Sequence, residues 1–538
     1  MKNKYQYPYY EVPQVNDLKE LIDCAADKYN DKTAFMFDRN GGDVKVSFAE
    51  LKNDIDALGT YFFSLGLHGE KIVIYGENSY EWILTYFAAV NGSNIIVPID
   101  KELGAAELKN LVNDCGATTV VYSKRKSEAV EAAKPEMPNV ERYILSSEIS
   151  ECIDKGMALM QSGNNEFLNN KIDREALCAI IYTSGTTGKP KGVMLSHRNL
   201  ASDTVNSSRN FYEGDGTVGV LPLNHTFGFT ATVLCQVLRG HGVYINNSLK
   251  KIMRDMQAMK PRHISVVPLF MKSFYKNIWK NAEKQGKADA LRKLIKVSNA
   301  MRRVGIDMRP VFFKSIIAAF GGNLNLIISG GAPIDQKYVK GFDDIGINIM
   351  NGYGITECSP IVSTSRNKAT KPGSVGLAVP GTTVKVDNPD ENGEGELLVK
   401  GDIVMMGYYN DPERTAQAIQ DGWFRTGDIG RVDEDGFIFI TGRQKNLIIL
   451  SNGKNVYPEE IEAVIEDVEG VNEVMVYGKD DVICAEIYTE TPEEKERIKK
   501  DVQALNDTLP SHKQVKNITF RDTEFEKTST KKIKRFLY

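Results

Sequence analysis

Long apolar runs are missing from this 538-residue chain. The longest, Trp82 to Val90, reaches roughly half of the 18 or more residues that a membrane span requires, which argues against an integral membrane protein. Cysteine is sparse: the seven (Cys24, Cys115, Cys152, Cys178, Cys235, Cys358 and Cys484) are scattered without a C-x-x-C pair. That pattern fits a reducing compartment better than a disulfide framework, and no Cys/His zinc spacing is present. An excess of one charge is missing too, because 67 Lys+Arg against 71 Asp+Glu leave a net charge of −4. No global field therefore holds the chain on nucleic acid, and any basic site must be local. The first residues, MKNKYQYPYYEVPQVNDL, lack the apolar centre of a signal peptide, and Pro8 and Pro13 interrupt any helix there, so the reading is a cytoplasmic start.

What is present is an ordinary globular composition, 42% hydrophobic and 26% charged, in a chain long enough for several cores. Helical and strand-like segments alternate early on: Phe48 to Leu65, then Lys71 to Tyr75, then Tyr80 to Val90, then Asn94 to Pro98. This predicts an α/β fold built on parallel units, and the texture returns at Gly242 to Ile245, His263 to Val267 and Leu326 to Ser329. Between Glu394 and Gly442 the period changes to two, which predicts a small antiparallel β region closing the large domain. After Arg443 a compact α+β tail follows, with helices at Pro458 to Glu466 and Pro492 to Leu505 and strands at Val471 to Tyr477 and Val482 to Tyr488.

The sharpest local signal is Tyr182-Thr-Ser-Gly-Thr-Thr-Gly-Lys-Pro-Lys-Gly-Val193, a loop between two strand-like runs. Gly185, Gly188 and Gly192 let backbone N–H groups converge, Thr183, Ser184, Thr186 and Thr187 add hydroxyls, and Lys189 and Lys191 add charge. Such a loop suits a polyphosphate. It is not a P-loop NTPase motif, since Pro190 follows Lys189 where a helix would have to begin.

This segment resembles the phosphate loop of the AMP-forming adenylating enzymes, the superfamily that includes acyl-CoA synthetases, amino-acid adenylation domains and luciferases. Further motifs of that family follow in order: LPLNHTFG at Leu221 to Gly228, SGGAP at Ser329 to Pro333, NGYGITE at Asn351 to Glu357, RTGD at Arg425 to Asp428, GRQKN at Gly442 to Asn446 and NVYPEEIE at Asn455 to Glu462. The resemblance implies a large N-terminal domain over residues 1–442, a hinge at 443–445 and a small mobile C-terminal domain over 446–538. It also implies ATP, Mg²⁺ and CoA as cofactor, metal and co-substrate.

By the same resemblance Thr356 and Lys532 face the transferred phosphate, and Glu357 and Thr183 hold Mg²⁺. Ser184 to Lys189 cradle the phosphates; Tyr353 stacks on adenine, with Gly331, Ala332, Asn351 and Gly352 as the wall around it. Asp428 and Arg443 contact the ribose, and Lys445 is the hinge lysine. The terminal EKTSTKKIKR departs from the family's usual P-K-T-x-x-G-K, with Glu526 in place of proline and Lys531 in place of glycine.

Amino-acid adenylation domains place an Asp after the phosphate loop to pair with a substrate ammonium, whereas Leu223 to Phe229 carries no acid. His225 instead resembles the gate residue of acyl-CoA synthetases, flanked by Phe227 and Phe229. The insert up to Ile327 resembles that of the long-chain enzymes, and from Lys272 to Lys314 twelve basic residues against three acidic ones give a local net of 12 − 3 = +9. Phe270, Phe274 and Ile278 fall there at helical spacing. A buried apolar stripe with a solvated basic face accounts for this as well as contact with an anionic inner membrane surface does. The resemblance thus implies activation of a medium- to long-chain fatty acid to acyl-AMP and transfer to CoA. A fatty acyl-AMP ligase loading a carrier protein, and a catalytically weak binding homologue, are the alternatives.

Overall fold

The computed structural model describes residue 5 and residues 7–183, 190–450, 455–527 and 533–538. It divides into two compact units, one taking in most of the chain up to Thr383 together with Lys400–Gly422, the other combining Val384–Val399 with Trp423–Tyr538.

In the first unit, a seven-stranded sheet runs in the order Gly407–Tyr408, Lys191–Ser196, Leu177–Thr183, Ile95–Ile99, Lys71–Tyr75, Thr119–Tyr122, Arg142–Leu145. The strands from Ile95–Ile99 outward are parallel, and all but the edge strand Arg142–Leu145 are buried on both faces, which is why they read as short unbroken apolar runs. The helix Tyr80–Asn91 is buried along its whole length, its start fixed by the Ser79 hydroxyl accepting the Trp82 N–H at 3.1 Å.

A second sheet orders His263–Val266, Leu326–Ser329, Asn348–Gly354, Ile361–Thr364 and Leu377–Ala378; the first three are parallel and the chain then reverses. The helix Pro268–Lys284 turns Met271 and Phe274 into a core with Phe313, Phe320 and Phe342, and Phe270 and Ile278 pack against it. The apolar stripe expected there is therefore a core face. The next helix, Ala288–Arg303, packs Leu291, Leu294 and Ile295 on the same core, and ties Asn299 to Asp344 and Arg302 to Asp343 at 2.8 Å each. Its outward positions Lys293, Lys296, Val297 and Arg303, with Val304 just past its end, follow at spacings of three, four and seven residues, which places them on one face. Among the described residues, no helix is long and apolar enough to cross a membrane.

In the second unit, Gly395–Gly401, Trp423–Val432 and Ile438–Arg443 form an antiparallel ladder in which Glu396 pairs with Ile429 and Asp428 with Arg443. These strands, expected to close the large domain, group with the tail. Gly442 is one reason: a side chain there would begin 2.7 Å from the Tyr457 ring, so only glycine lets the tail's first turn lie on the strand. Beyond it, the helices Pro458–Ile465 and Lys495–Asn506 cover the sheet Glu473–Lys479, Val482–Tyr488, Val515–Arg521 through Ile461, Ile465, Val476, Ile487 and Ile498.

Candidate active site

The glycine- and threonine-rich loop is carried by an antiparallel hairpin in which Thr183 pairs with Lys191 and Tyr182 with Gly192. A side chain at 192 would meet Ile180 at 2.9 Å and Tyr409 at 3.1 Å, so this glycine serves close packing. The Tyr182 hydroxyl donates to the Asp114 carboxylate, and burial pushes its ionisation well above the ordinary tyrosine range. Thr183 is half-buried at the strand end; Ser184, Gly185, Thr186, Thr187, Gly188 and Lys189 lie outside the described residues, as do Lys531 and Lys532.

The residues expected to wall the adenine lie at the carboxyl ends of the parallel strands of the second sheet, the usual ligand edge of α/β sheets. The register places Ser329 beside Asn351, and both carry a buried oxygen, Oγ and Oδ1, with no hydrogen-bond partner. Two adjacent orphaned polar atoms in a folded protein are costly unless a ligand or water takes them up. Gly331 follows with φ +82 and is exposed with Ala332, which leaves the wall open on that side. Gly352 and Tyr353 continue the strand opposite Thr364 and Ser363, with Tyr353 half-buried.

From this strand the chain enters the short turn Thr356–Cys358. Thr356 is half-buried and Glu357 is 8% exposed. The Glu357 carboxylate Oε1 accepts the Tyr408 hydroxyl at 2.9 Å, and its main-chain carbonyl accepts the Met405 N–H at 2.9 Å. Tyr408 in turn pairs with Val193 on the hairpin strand, and the Lys191 ammonium lies 5.1 Å from its ring centroid. One carboxylate is thus tied to the strand that leaves the phosphate loop. Among the described residues no group of three or more His, Cys, Asp or Glu could hold a metal alone. A single carboxylate with a threonine hydroxyl is the sparse oxygen set that suits Mg²⁺ arriving on a polyphosphate.

The loop Leu221 to Phe229 is anchored by Asn78, whose Nδ2 donates to the Leu221 carbonyl at 2.8 Å while its Oδ1 accepts the Leu223 N–H at 3.1 Å. His225 is half-buried and precedes the short helix Thr226–Phe229. Phe227 lies against Gly330, where a side chain would begin 3.0 Å from its ring. Phe229, expected beside His225 in the acyl setting, packs into the core with Trp82, Tyr86 and Phe87.

In the second unit Asp428, 3% exposed, faces Arg443 across two neighbouring strands, with Nε and Oδ1 2.7 Å apart. The Asp428 N–H donates to Thr426 Oγ1 at 3.0 Å, and the Gly427 N–H to Glu396 Oε1 at 3.0 Å, which holds the turn. Lys445 is exposed in the turn Gln444–Asn446. Tyr408, Asn78 and Ser329 escaped the motif reading as single residues; each acts through a partner distant in the chain, and only Ser329 lies inside a motif.

Residues 22–409 match the AMP-binding enzyme family, and residues 445–537 match the AMP-binding enzyme C-terminal domain. The long-chain-fatty-acid–CoA ligase FadD15 of Mycobacterium bovis is 30% identical over 484 residues, 83% of this chain and 78% of its own. A long-chain-fatty-acid–CoA ligase of Salmonella typhimurium is 30% identical over 502 residues, 86% and 82% of the two chains. Of the solved structures, ATP-bound MatB from Rhodopseudomonas palustris superposes with a TM-score of 0.75 at 25% identity, covering 96% of this chain and 97% of that one. The anthranilate CoA ligase AuaEII, in complex with anthranoyl-AMP, shares the fold with a TM-score of 0.78 at 21% identity over 100% and 98%. A family match across most of the chain, joined to a site of the same motifs in the same order, makes this protein a member of the AMP-binding enzymes.

Proposed function

We propose that the protein is an AMP-forming acyl-CoA synthetase. It activates a medium- to long-chain fatty acid with ATP to acyl-AMP and pyrophosphate, then passes the acyl group to the thiol of CoA and releases AMP. The observation that carries the nucleotide half is the adjacent pair of buried, unpartnered acceptors, Ser329 Oγ and Asn351 Oδ1, in a wall that Gly331 leaves open. An adenine amino group supplies the donor they lack. The ligases named above support the fatty acid as the carboxylate.

A carboxylate is a poor electrophile, and conversion to a mixed anhydride with AMP gives it a better leaving group. Negative charge builds on the α-phosphate during that step, so donors and cations fixed in place stabilise it. In this reading Thr356 and Lys532 face the phosphate, and Tyr353 stacks on the base. Gly331, Ala332, Asn351 and Gly352 line it, and Ser184 to Lys189 cradle the remaining phosphates. Mg²⁺ held by Glu357 and Thr183 supplies charge neutralisation on the phosphate oxygens. Asp428 and Arg443 take the ribose hydroxyls, His225 gates the acid, and Lys445 lies in a hinge at 443–445 ahead of the mobile 446–538.

The acid is an amphiphile, and peripheral contact with an anionic inner membrane surface belongs to the same reading. The outward face of Ala288–Arg303 supports it: Lys293, Lys296 and Arg303 alternate there with Val297 and Val304, which are 51% and 73% exposed. Incubation with ATP, Mg²⁺ and a panel of short, medium, long-chain and aryl acids, with and without CoA, tests the whole proposal by mass spectrometry. Acyl-CoA from the longer acids is the expected product. Acyl-AMP that accumulates in the presence of CoA would transfer the acceptor role to a carrier protein, and no adenylate from any acid would overturn the reading.

A further inference from the structure

Glu357 is the one carboxylate that the ATP-activating reading asks to face a phosphate-bound cation, and its surroundings assign work to a residue outside every motif. Its Oε1 accepts the Tyr408 hydroxyl at 2.9 Å, whereas Oε2 makes no hydrogen bond to a described residue. A glutamate has three side-chain torsions, and a carboxylate that must meet a cation gains from having them settled beforehand.

Tyr408 is itself held from several sides. Its backbone pairs with Val193, its N–H donates to Thr415 Oγ1 at 2.9 Å, and that hydroxyl donates onward to the Asp411 carbonyl at 2.8 Å. Gly407, with φ +147, lets Thr415 lie where a side chain would stand 2.7 Å away. The segment leading into this strand is clamped as well: Asn199 Nδ2 donates to the carbonyls of Asp402 and Val404 at 2.7 and 2.9 Å, and the Ser359 hydroxyl donates to the Ile403 carbonyl at 2.8 Å. The tyrosine is therefore a rigid post between the strand that leaves the phosphate loop and the acid in the following sheet.

We propose that Tyr408 is a positioning residue for Glu357: by occupying Oε1 it sets the carboxylate so that Oε2 is presented to the cation that ATP brings. This rests on the ATP-activating reading and adds to it a residue that acts through Glu357 alone. The neighbouring Tyr409 provides the control, since its hydroxyl donates to the Cys115 carbonyl at 3.3 Å and touches nothing at the carboxylate.

The test is Mn²⁺ binding to the full-length protein with α,β-methylene-ATP, followed by the electron-spin resonance of free Mn²⁺, in Tyr408→Phe, Tyr409→Phe and Glu357→Gln. Phenylalanine keeps the ring beneath Lys191 and removes only the hydroxyl. Tyr408→Phe weakens Mn²⁺ retention by roughly 10- to 100-fold, the range usual for partners that orient a metal ligand. The half-saturating Mg²⁺ for adenylate formation rises in parallel, and the Tyr409→Phe curve overlays the wild type. In the Glu357→Gln background, Tyr408→Phe adds nothing further, because the route of its effect is gone. Equal Mn²⁺ curves for Tyr408→Phe and wild type, or two substitutions whose effects multiply independently, would overturn the assignment while leaving adenylate chemistry intact. A wild-type protein that binds neither Mn²⁺ nor the analogue overturns this inference together with the ATP reading.

Discussion

The Asp428 carboxylate and the Arg443 guanidinium meet at 2.7 Å as direct cross-strand neighbours, the acid buried and the arginine 40% exposed at its side chain. The arginine can swing toward solvent or ligand, but the acid cannot. Asp428→Ala is expected to lower AMP affinity by about 10- to 100-fold, the value of one or two hydrogen bonds to a charged group. Arg443→Ala has a smaller effect on affinity. Isothermal titration with AMP measures both; equal effects would mean that the pair acts only as a strut.

Asn351 gives a prediction with two signs. An unsatisfied buried acceptor costs the free protein about 1–3 kcal/mol, and in the proposed base site the same atom is the one that would meet adenine. Asn351→Leu therefore raises the melting temperature of the ligand-free protein and weakens ATP binding. Calorimetry with and without ATP shows both; a variant that is destabilised and still binds ATP normally would remove Asn351 from the base site.

His263 is fully buried, and burial, aided by His241 and Arg239 nearby, holds its imidazole down at about 3 against a backbone contact with Gly214 that acts the other way. Below pH 6.5 the unfolded chain takes up a proton there that the folded chain refuses, so stability falls as pH drops from 6.5 toward 3. The slope contributed is about 1.4 kcal/mol per pH unit. His263→Leu removes that contribution. Melting curves between pH 6.5 and 4 should show the wild type losing stability faster than the variant, and parallel losses would contradict the assignment.

Contact with an anionic bilayer is expected to be salt-sensitive, because the cations Lys293, Lys296 and Arg303 make no ion pair with a described carboxylate. Co-sedimentation with phosphatidylglycerol vesicles should fall steeply with salt. It should be abolished in Lys293→Glu/Lys296→Glu/Arg303→Glu and be absent with neutral vesicles. Failure to pellet at low salt would leave this face simply solvated.

Much of the framework was legible in the residues. Lys71–Tyr75 and Leu326–Ser329 start and stop where the apolar runs do, because a strand buried on both faces leaves no room for polar residues. The tail helix expected from Pro492 begins at Lys495, since Pro492–Glu494 forms a separate tight turn first. The period-two strands were recognisable, but alternation reports pairing and not which core a strand joins, so their grouping with the tail came from Tyr457 on Gly442. The Tyr408–Glu357 bond joins residues 51 apart, and no local pattern marks it. Phe229 beside His225 looked like substrate lining; the helix Tyr80–Asn91, with its aromatic face, had already claimed it.

Phe227, two residues after His225, rests against Gly330, next to Gly331 of the proposed adenine wall, and a side chain at 330 would crowd its ring at 3.0 Å. In a fatty-acid ligase this makes one partition serve two tenants. Reshaping residue 227 to admit a different chain length would disturb the nucleotide's lodging as well, so altered acid preference and altered ATP requirement should be inherited together.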